Sequence, residues 1–305
     1  MTDLPSHISL REVGPRDGLQ NEAPVPTGAK VALIDALSAT GVGRIEAVSF
    51  VHPRAIPQMA DADEVWQAIT RNDAVRYSAL VPNLRGAQRA LAAGFAEIEV
   101  VVSASDTHNR MNVNRSTEES LDDIAQILDT AHEAGATCQV IVSTAWGCPY
   151  EGDVPVQRVV DVASRAVADG ADGMSYGDTT GMATPTRVTR LVGETRSALP
   201  EIGLNLHFHN TRGTGLANVL AALELGVADF DASVGGLGGC PYAPGATGNV
   251  CTEDLVYMVE DMGVATGVDL ERMIDAARAA EGLVGRVLPS QVLRAGPRTR
   301  LTPAP

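Results

Sequence analysis

Between residues 8 and 234 short β-branched runs alternate with longer helical patterns, eight strand candidates in all. They are Ile8–Val13, Arg44–Phe50, Val75–Val81, Glu97–Val102, Thr137–Val142, Gly173–Tyr176, Ile202–His207 and Phe230–Val234. Helical segments such as Thr117–Ala134, Pro155–Ala168, Pro185–Leu199 and Thr214–Leu225 lie between them. Pro155 and Pro185 stand where first-turn prolines are favoured, and Gly135, Gly170 and Gly226 stand at expected helix ends. Eight βα units in register, with no linker, predict an α/β fold of the (β/α)8 TIM-barrel type. A doubly wound sheet is the alternative, but no glycine-rich dinucleotide turn follows the first strand. The barrel is expected to span residues 1–287 as the catalytic domain, with a short helical extension. Residues 288–305, with four prolines, read as a short irregular tail.

Size and charge narrow the partners. A chain of 305 residues suits a single barrel. It has no apolar run of transmembrane length, and Met1-Thr2-Asp3-Leu4-Pro5 does not read as a signal peptide, so a soluble cytoplasmic protein is expected. A net charge of −15 argues against nucleic acid, whose phosphates need a basic face. Lys30 is the only lysine and opens the helical pattern Gly28 to Ala39, which argues against imine chemistry at a buried lysine. Cys138, Cys148, Cys240 and Cys251 form no CxxC pair, so neither a zinc ribbon nor a disulfide framework is suggested.

Active sites of this fold collect at the C-terminal strand ends. Those ends carry Arg16-Asp17, Glu46 with Ser49, Asn83, Ser103 with Ser105, Ser143-Thr144, Asp178-Thr179, and His207 with His209. The opposite loops are plain Gly-Ala and Gly-Val turns. His207 and His209, at i and i+2 on a strand, point the same way together with Asn205, while Leu204, Leu206 and Phe208 take the other face. Two imidazoles and a carboxylate from Asp17 suit a divalent ion: magnesium, manganese or iron(II). The alternatives are a hydrogen-bonded histidine pair in a polar core, and Asp17 as a turn residue in Gly14-Pro15-Arg16-Asp17-Gly18. Arg16 beside such an ion could stabilise an enolate oxygen. Glu46 is expected to face inward with Val48 and Phe50, paired with Arg16. The glycine-rich run after Val234 places Cys240 where it is either a proton donor or an inert thiol. Cys138 falls inside an apolar strand and reads as core.

Three motifs together resemble the 3-hydroxy-3-methylglutaryl-CoA lyase family of metal-dependent barrel lyases and Claisen-type synthases. They are Glu12-Val13-Gly14-Pro15-Arg16-Asp17-Gly18-Leu19-Gln20-Asn21-Glu22, the His207/His209 segment, and Gly238-Gly239-Cys240-Pro241-Tyr242 with Gly248-Asn249 and Thr252-Glu253-Asp254-Leu255-Val256-Tyr257. The likeness runs from about Ile8 to about Leu283. It implies metal ligands Asp17, His207, His209 and Asn249 for Mg²⁺ or Mn²⁺. It also implies Arg16 as the enolate stabiliser oriented by Glu46, Cys240 as the acid, and Asp178 as a helper in hydroxyl deprotonation. Gln20 and Glu253 would support substrate binding, and Ser105 and Asn109 lie in a region similar to a loop that meets an acyl-CoA. The implied reaction is retro-Claisen cleavage by a homodimer.

The sequence departs from the mammalian-type lyases after the second histidine, with Asn210-Thr211-Arg212-Gly213 in place of Asp-Thr-Tyr-Gly. Arg212 could bind a further carboxylate or a CoA phosphate, or point outward. Citramalyl-CoA or a longer 3-substituted glutaryl-CoA is the alternative substrate. An isopropylmalate-type synthase would usually add a long C-terminal region, and a non-catalytic barrel would not need the retained motif residues.

Overall fold

The structure, a computed structural model, describes residues 4–239 and 248–301. Its strands fall close to their sequence positions: β1 Ser9–Glu12, β2 Arg44–Ser49, β3 Arg76–Val81, β4 Glu97–Ser103, β5 Thr137–Ser143, β6 Gly173–Asp178, β7 Leu204–Phe208 and β8 Asp229–Ala232. All eight are parallel, pair in chain order, and close β8 on β1. The helices are α1 Thr27–Ser38, α2 Ala62–Ala68, α3 Leu84–Ala92, α4 Asp106–Val113, α5 Thr117–Glu133, α6 Val156–Ala168, α7 Pro185–Ala198, α8 Gly215–Leu223, α9 Thr252–Asp261, α10 Leu270–Val284 and α11 Gln291–Ala295. Pro185 occupies the first turn of α7 as expected, whereas Pro155 stands one residue ahead, at the N-cap of α6.

Strand alternation sorts the side chains into two cores. Outward residues such as Ile98, Val100 and Val102 join Leu121, Ile124 and Leu128 of α5 in the apolar layer between sheet and helices. The barrel interior is different. Branched aliphatics usually fill it, yet here Arg11, Glu46, Ser78, Glu99, Asn205 and Asp231 are all buried. Such charges survive without water only when paired and hydrogen-bonded. Arg11 donates to both oxygens of Asp231 (2.8 and 2.9 Å) and to Gln139 (2.7 Å), and lies 2.5 Å from Glu99.

Two sequence expectations change. A bulge at Ala47 shifts the β2–β3 register, so Glu46 pairs with Ser78 and Val48 with Ala79. Ser49, not Val48, therefore lines the mouth of the barrel alongside Glu46, and Phe50 stacks edge-on against Phe95 outside the barrel. Lys30 lies in the first turn of α1, as expected, and its buried Nζ is committed to Asp61 and the Gln58 carbonyl. The tail is not irregular throughout: Leu288 is buried beside Gly235, and α11 docks by Ser290, Gln291 and Val292 donating to Asp254.

Glu12, the last residue of β1, ties two strand ends to α9. Its Oε1 accepts from the backbone of Gly14 (2.7 Å) and Val234 (2.8 Å), and its Oε2 meets the Thr252 hydroxyl at 2.6 Å. Burial pushes its carboxyl up to about 7, against the pull of those donors. The protonated form is therefore favoured by folding. Its contribution is complete below the unfolded value near 4.5 and is lost as pH rises through about 7, roughly 3 kcal/mol over the window. Glutamine matches the protonated acid, because its amide can donate to Thr252 while Oε1 keeps both N–H bonds. Urea unfolding of Glu12→Gln should equal wild type near pH 5 and exceed it by about that margin at pH 8. Equal stabilities at both pH values would contradict this.

Candidate functional site

The chain leaves β1 through a wide turn, Gly14–Gly18, in which the N–H groups of Arg16, Asp17 and Gly18 all converge on the Val13 carbonyl. The turn formers of that stretch thus also serve the site, because they aim Arg16 and Asp17 over the barrel mouth. Asp17 accepts from Arg16 (3.0 Å) and Gln20 (2.9 Å) on Oδ1, and from Asn249 (2.7 Å) on Oδ2. Burial opposes its charge, but Arg16, His207 and His209 hold it below the usual carboxylate range. Arg16 also reaches Glu46 at 2.6 Å, as expected.

Across the mouth, β7 delivers both imidazoles. One ligand atom each from Asp17, His207 and His209 lie within 4.8 Å of one another. His207 Nδ1 faces Asp231 Oδ2 at 3.1 Å, which leaves Nε2 as its coordinating atom. His209 is pushed down to about 4 by burial and by His207, so it is a neutral imidazole at ordinary pH. Asn249 bridges back to His209, and its Oδ1 is buried with no hydrogen-bond partner among the described residues. A carboxylate, two imidazoles and an orphaned amide oxygen converging in this way fit a divalent cation. Gly238 matters here for space: a Cβ there would stand 2.5 Å from Asn249 Nδ2 and 3.0 Å from Asp17 Oδ2.

These groups line a cavity of about 690 Å³. Arg16, Asp17, Gln20, His207, His209 and Asp231 line it from β1, β7 and β8; Val101, His108, Ile141 and Ser143 line it from β4, α4 and β5, with Gly177 and Thr179 of the β6 end beside His207. Other sequence-selected residues sit behind its walls. Asp178 is buried at the end of β6, its Oδ1 accepting from Met182 (2.7 Å) and Ala183 (2.9 Å). Burial pushes it up to about 6, and its Oδ2 has no partner among the described residues. Glu253, at the start of α9, accepts from the Gly235 backbone (3.1 Å) and is pushed up to about 7 by burial.

The α4 region corrects a sequence reading. Ser105 is the N-cap of α4 and donates to Cys148 Sγ, while Asn109 bonds Ser103 N, the carbonyls of Arg115 and Ser116, and Ser120 Oγ. Both are buried inside the loop they shape, because their polar atoms are consumed there. His108, Asn112 and Val113 from the same helix face the cavity instead. Arg212 is exposed and donates to the carbonyls of Thr180 (2.7 Å) and Gly181 (2.9 Å), clasping the loop after β6. Cys138 is buried core, as read, and Cys240 lies outside the described residues.

Sequence reasoning passed over Asp231 and Arg11. The signal was present: Asp229-Phe230-Asp231 alternates charge with an aromatic ring in a strand whose inward face must be residue 231 if Phe230 faces out. Arg11 holds the Asp231 carboxyl far below its usual range although burial opposes it.

A family model described as HMGL-like matches residues 7–279. The chain is 47% identical over 291 residues to a hydroxymethylglutaryl-CoA lyase of Bacillus subtilis, covering 95% of this chain and 97% of that protein. It is 44% identical over 301 residues to an (R)-citramalyl-CoA lyase of Chloroflexus aurantiacus, covering 95% of each. Among solved structures, an HMG-CoA lyase from Acinetobacter baumannii in complex with coenzyme A and 3-methylmalate superposes with a TM-score of 0.95 at 45% identity, over 100% of both chains.

Asp231→Asn removes the acceptor that fixes the His207 ring. Calorimetric titration should show Mn²⁺ affinity weakened about 10–100-fold. Unchanged affinity would show that Asp231 does not orient the ligand.

Proposed function

The chain belongs to the HMGL-like family, and from that premise we propose that it cleaves 3-hydroxy-3-methylglutaryl-CoA to acetyl-CoA and acetoacetate. The observation that carries this is the convergence of Asp17, His207 and His209 beside the Arg16–Glu46 pair in one cavity. The ion, Mg²⁺ or Mn²⁺, would be held by Asp17, His207, His209 and Asn249, and would supply Lewis acidity toward the substrate hydroxyl. Asp178, with a carboxyl pushed up to about 6 and one oxygen without a partner among the described residues, receives the hydroxyl proton through a relay, since it stands behind the cavity wall. The C2–C3 bond then breaks, its electrons passing to the thioester as an enolate while C3 becomes the acetoacetate ketone. Arg16, held by Glu46, offers its guanidinium to that enolate oxygen. The Cys240 thiol delivers the proton that completes acetyl-CoA. Gln20 fixes Asp17, and Glu253 acts through the Gly235 backbone rather than by contact. The same reading takes residues 1–287 as the catalytic barrel and the enzyme as a cytoplasmic homodimer.

One observation favours a second substrate: the (R)-citramalyl-CoA lyase relative is 44% identical over a full-length match. Acetyl-CoA and acetoacetate release from 3-hydroxy-3-methylglutaryl-CoA, with Mg²⁺ or Mn²⁺ and after chelation, separates the two. Release at roughly 1–10³ s⁻¹ that chelation abolishes is expected. No release with the metal-loaded protein would remove this substrate. Arg16→Gln should lower kcat about 10²–10³-fold, and Cys240→Ser should nearly abolish turnover while Mn²⁺ binding persists. Full activity in either variant would strike that residue from the mechanism.

A further inference from the structure

The loop from β2 to α2, residues 50–61, holds one short helical turn, Pro57–Met59, yet Val51, Ala55, Ile56, Pro57 and Gln58 from it line the cavity. Ala55 and Pro57 are exposed as well as lining, so this stretch is a rim of the mouth. Loops of such length at this end of a barrel usually carry function. Its backbone bonds are local: Ala55 N donates to the His52 carbonyl (2.8 Å) and Met59 N to that of Ile56 (3.0 Å). They shape the loop and leave its seat on the barrel to be set from outside.

Met59 is buried, but apolar contact is non-directional, and the directional ties are polar. Gln58 Nε2 donates to the carbonyl of Glu22 (2.8 Å), just past Gln20 and Asn21, which line the same cavity. Lys30 Nζ lies 2.5 Å from Asp61 Oδ1 and donates also to the Gln58 carbonyl. Thr27 Oγ1 completes the strap with a 2.7 Å bond to Asp61 Oδ2. Among the described residues, every hydrogen bond from residues 51–61 to the β1 loop or α1 passes through Gln58 or Asp61.

The identity of the anchor is informative. Lys30 is the chain's only lysine, arginine serving at every other permanently cationic side chain, and it is 5% exposed. Its acceptors, a backbone carbonyl and a carboxylate, belong to residues three apart on one turn. The three donors of an ammonium can reach both, whereas a flat guanidinium fork suits the parallel oxygens of one carboxylate. A buried ion pair adds little net stability over apolar packing of the same volume, so what this one supplies is fixed geometry. An acyl group anchored at Asp17, His207 and His209 leaves the rest of its thioester to cross the mouth. We propose that Lys30 is a positioning residue for substrate binding, holding Ala55–Gln58 as a preformed rim against which the carrier arm of an acyl-CoA lies. A rim ordered beforehand spares the thioester the entropy of ordering it.

This inference rests on the lyase reading, and its test separates the two. Steady-state kinetics with 3-hydroxy-3-methylglutaryl-CoA, Mn²⁺ titration and hydrogen exchange are measured on wild type, Lys30→Met, Lys30→Arg and Asp61→Asn. Wild type without turnover would reject the lyase reading, whereas exchange over residues 51–61 reads the strap irrespective of activity. Lys30→Met should quicken exchange there and leave exchange over β7 and Mn²⁺ affinity unchanged. It should raise KM about 10-fold with a smaller change in kcat. Lys30→Arg, which keeps the charge without the geometry, should fall between. Coenzyme A added to wild type should slow exchange over residues 51–61. A mere loss of folded protein would lower kcat at constant KM, and that result overturns the proposal. So does exchange over residues 51–61 that ignores either Lys30→Met or coenzyme A. Should Lys30→Met fail to fold, Asp61→Asn, at a half-buried position, should give the same split in weaker form; a wild-type KM there also counts against it.

Discussion

The paired hydrogen bonds from Arg11 to Asp231, 2.8 and 2.9 Å long at the centre of the barrel, support most of what lies above them. Neither charge could be buried alone at a cost the fold would survive. Together they let an ionised carboxylate stand beneath His207, 3.1 Å from its Nδ1. Asn205 Nδ2 donates to the same Asp231 oxygen as the Arg11 Nε, at 2.9 Å, and to Ser175 Oγ, so the carboxylate cannot swing. The chain thus gives up aliphatic packing in the barrel interior and gains a fixed electrostatic floor for the cavity.

Electrostatics then rise in steps along the barrel axis. Arg44 pairs with Glu97 and Asp229 at the N-terminal end, Arg11 with Glu99 and Asp231 in the middle, and Arg16 with Glu46 and Asp17 at the mouth. Each layer is balanced or acidic, so the uppermost can hold a cation. The bulge at Ala47 belongs to this scheme, since it allows Glu46 to serve Arg16 while Ser49 still reaches the cavity. Glu12 and Glu253 lie outside the axis and hold the loop after β8 from below.

Much of this was legible in the sequence. The eight strands could be read because turn residues bound each β-branched run, and the i, i+2 histidines could be placed because strand alternation is strict on β7. The same rule failed on β2, where one bulged residue reverses every side chain beyond it and no local signal marks the bulge. It was not applied to β1 and β8, where Arg11 and Asp231 look like surface charges until closure of the barrel makes them neighbours 220 residues apart in the chain. Ser105 and Asn109 lie in a stretch whose family resemblance implies contact with an acyl-CoA. Only the geometry of α4 shows that their bonds are spent on the loop itself, and that His108 between them faces the cavity.

The most direct measurement is ¹⁵N NMR of the His207 ring in metal-free and Mg²⁺-loaded protein. The account predicts a neutral ring protonated at Nδ1 toward Asp231 when the ion is bound, with Nε2 as the coordinating nitrogen. A ring protonated at Nε2, or one whose shifts ignore Mg²⁺, would contradict the claim that the barrel's buried charges set the metal ligand.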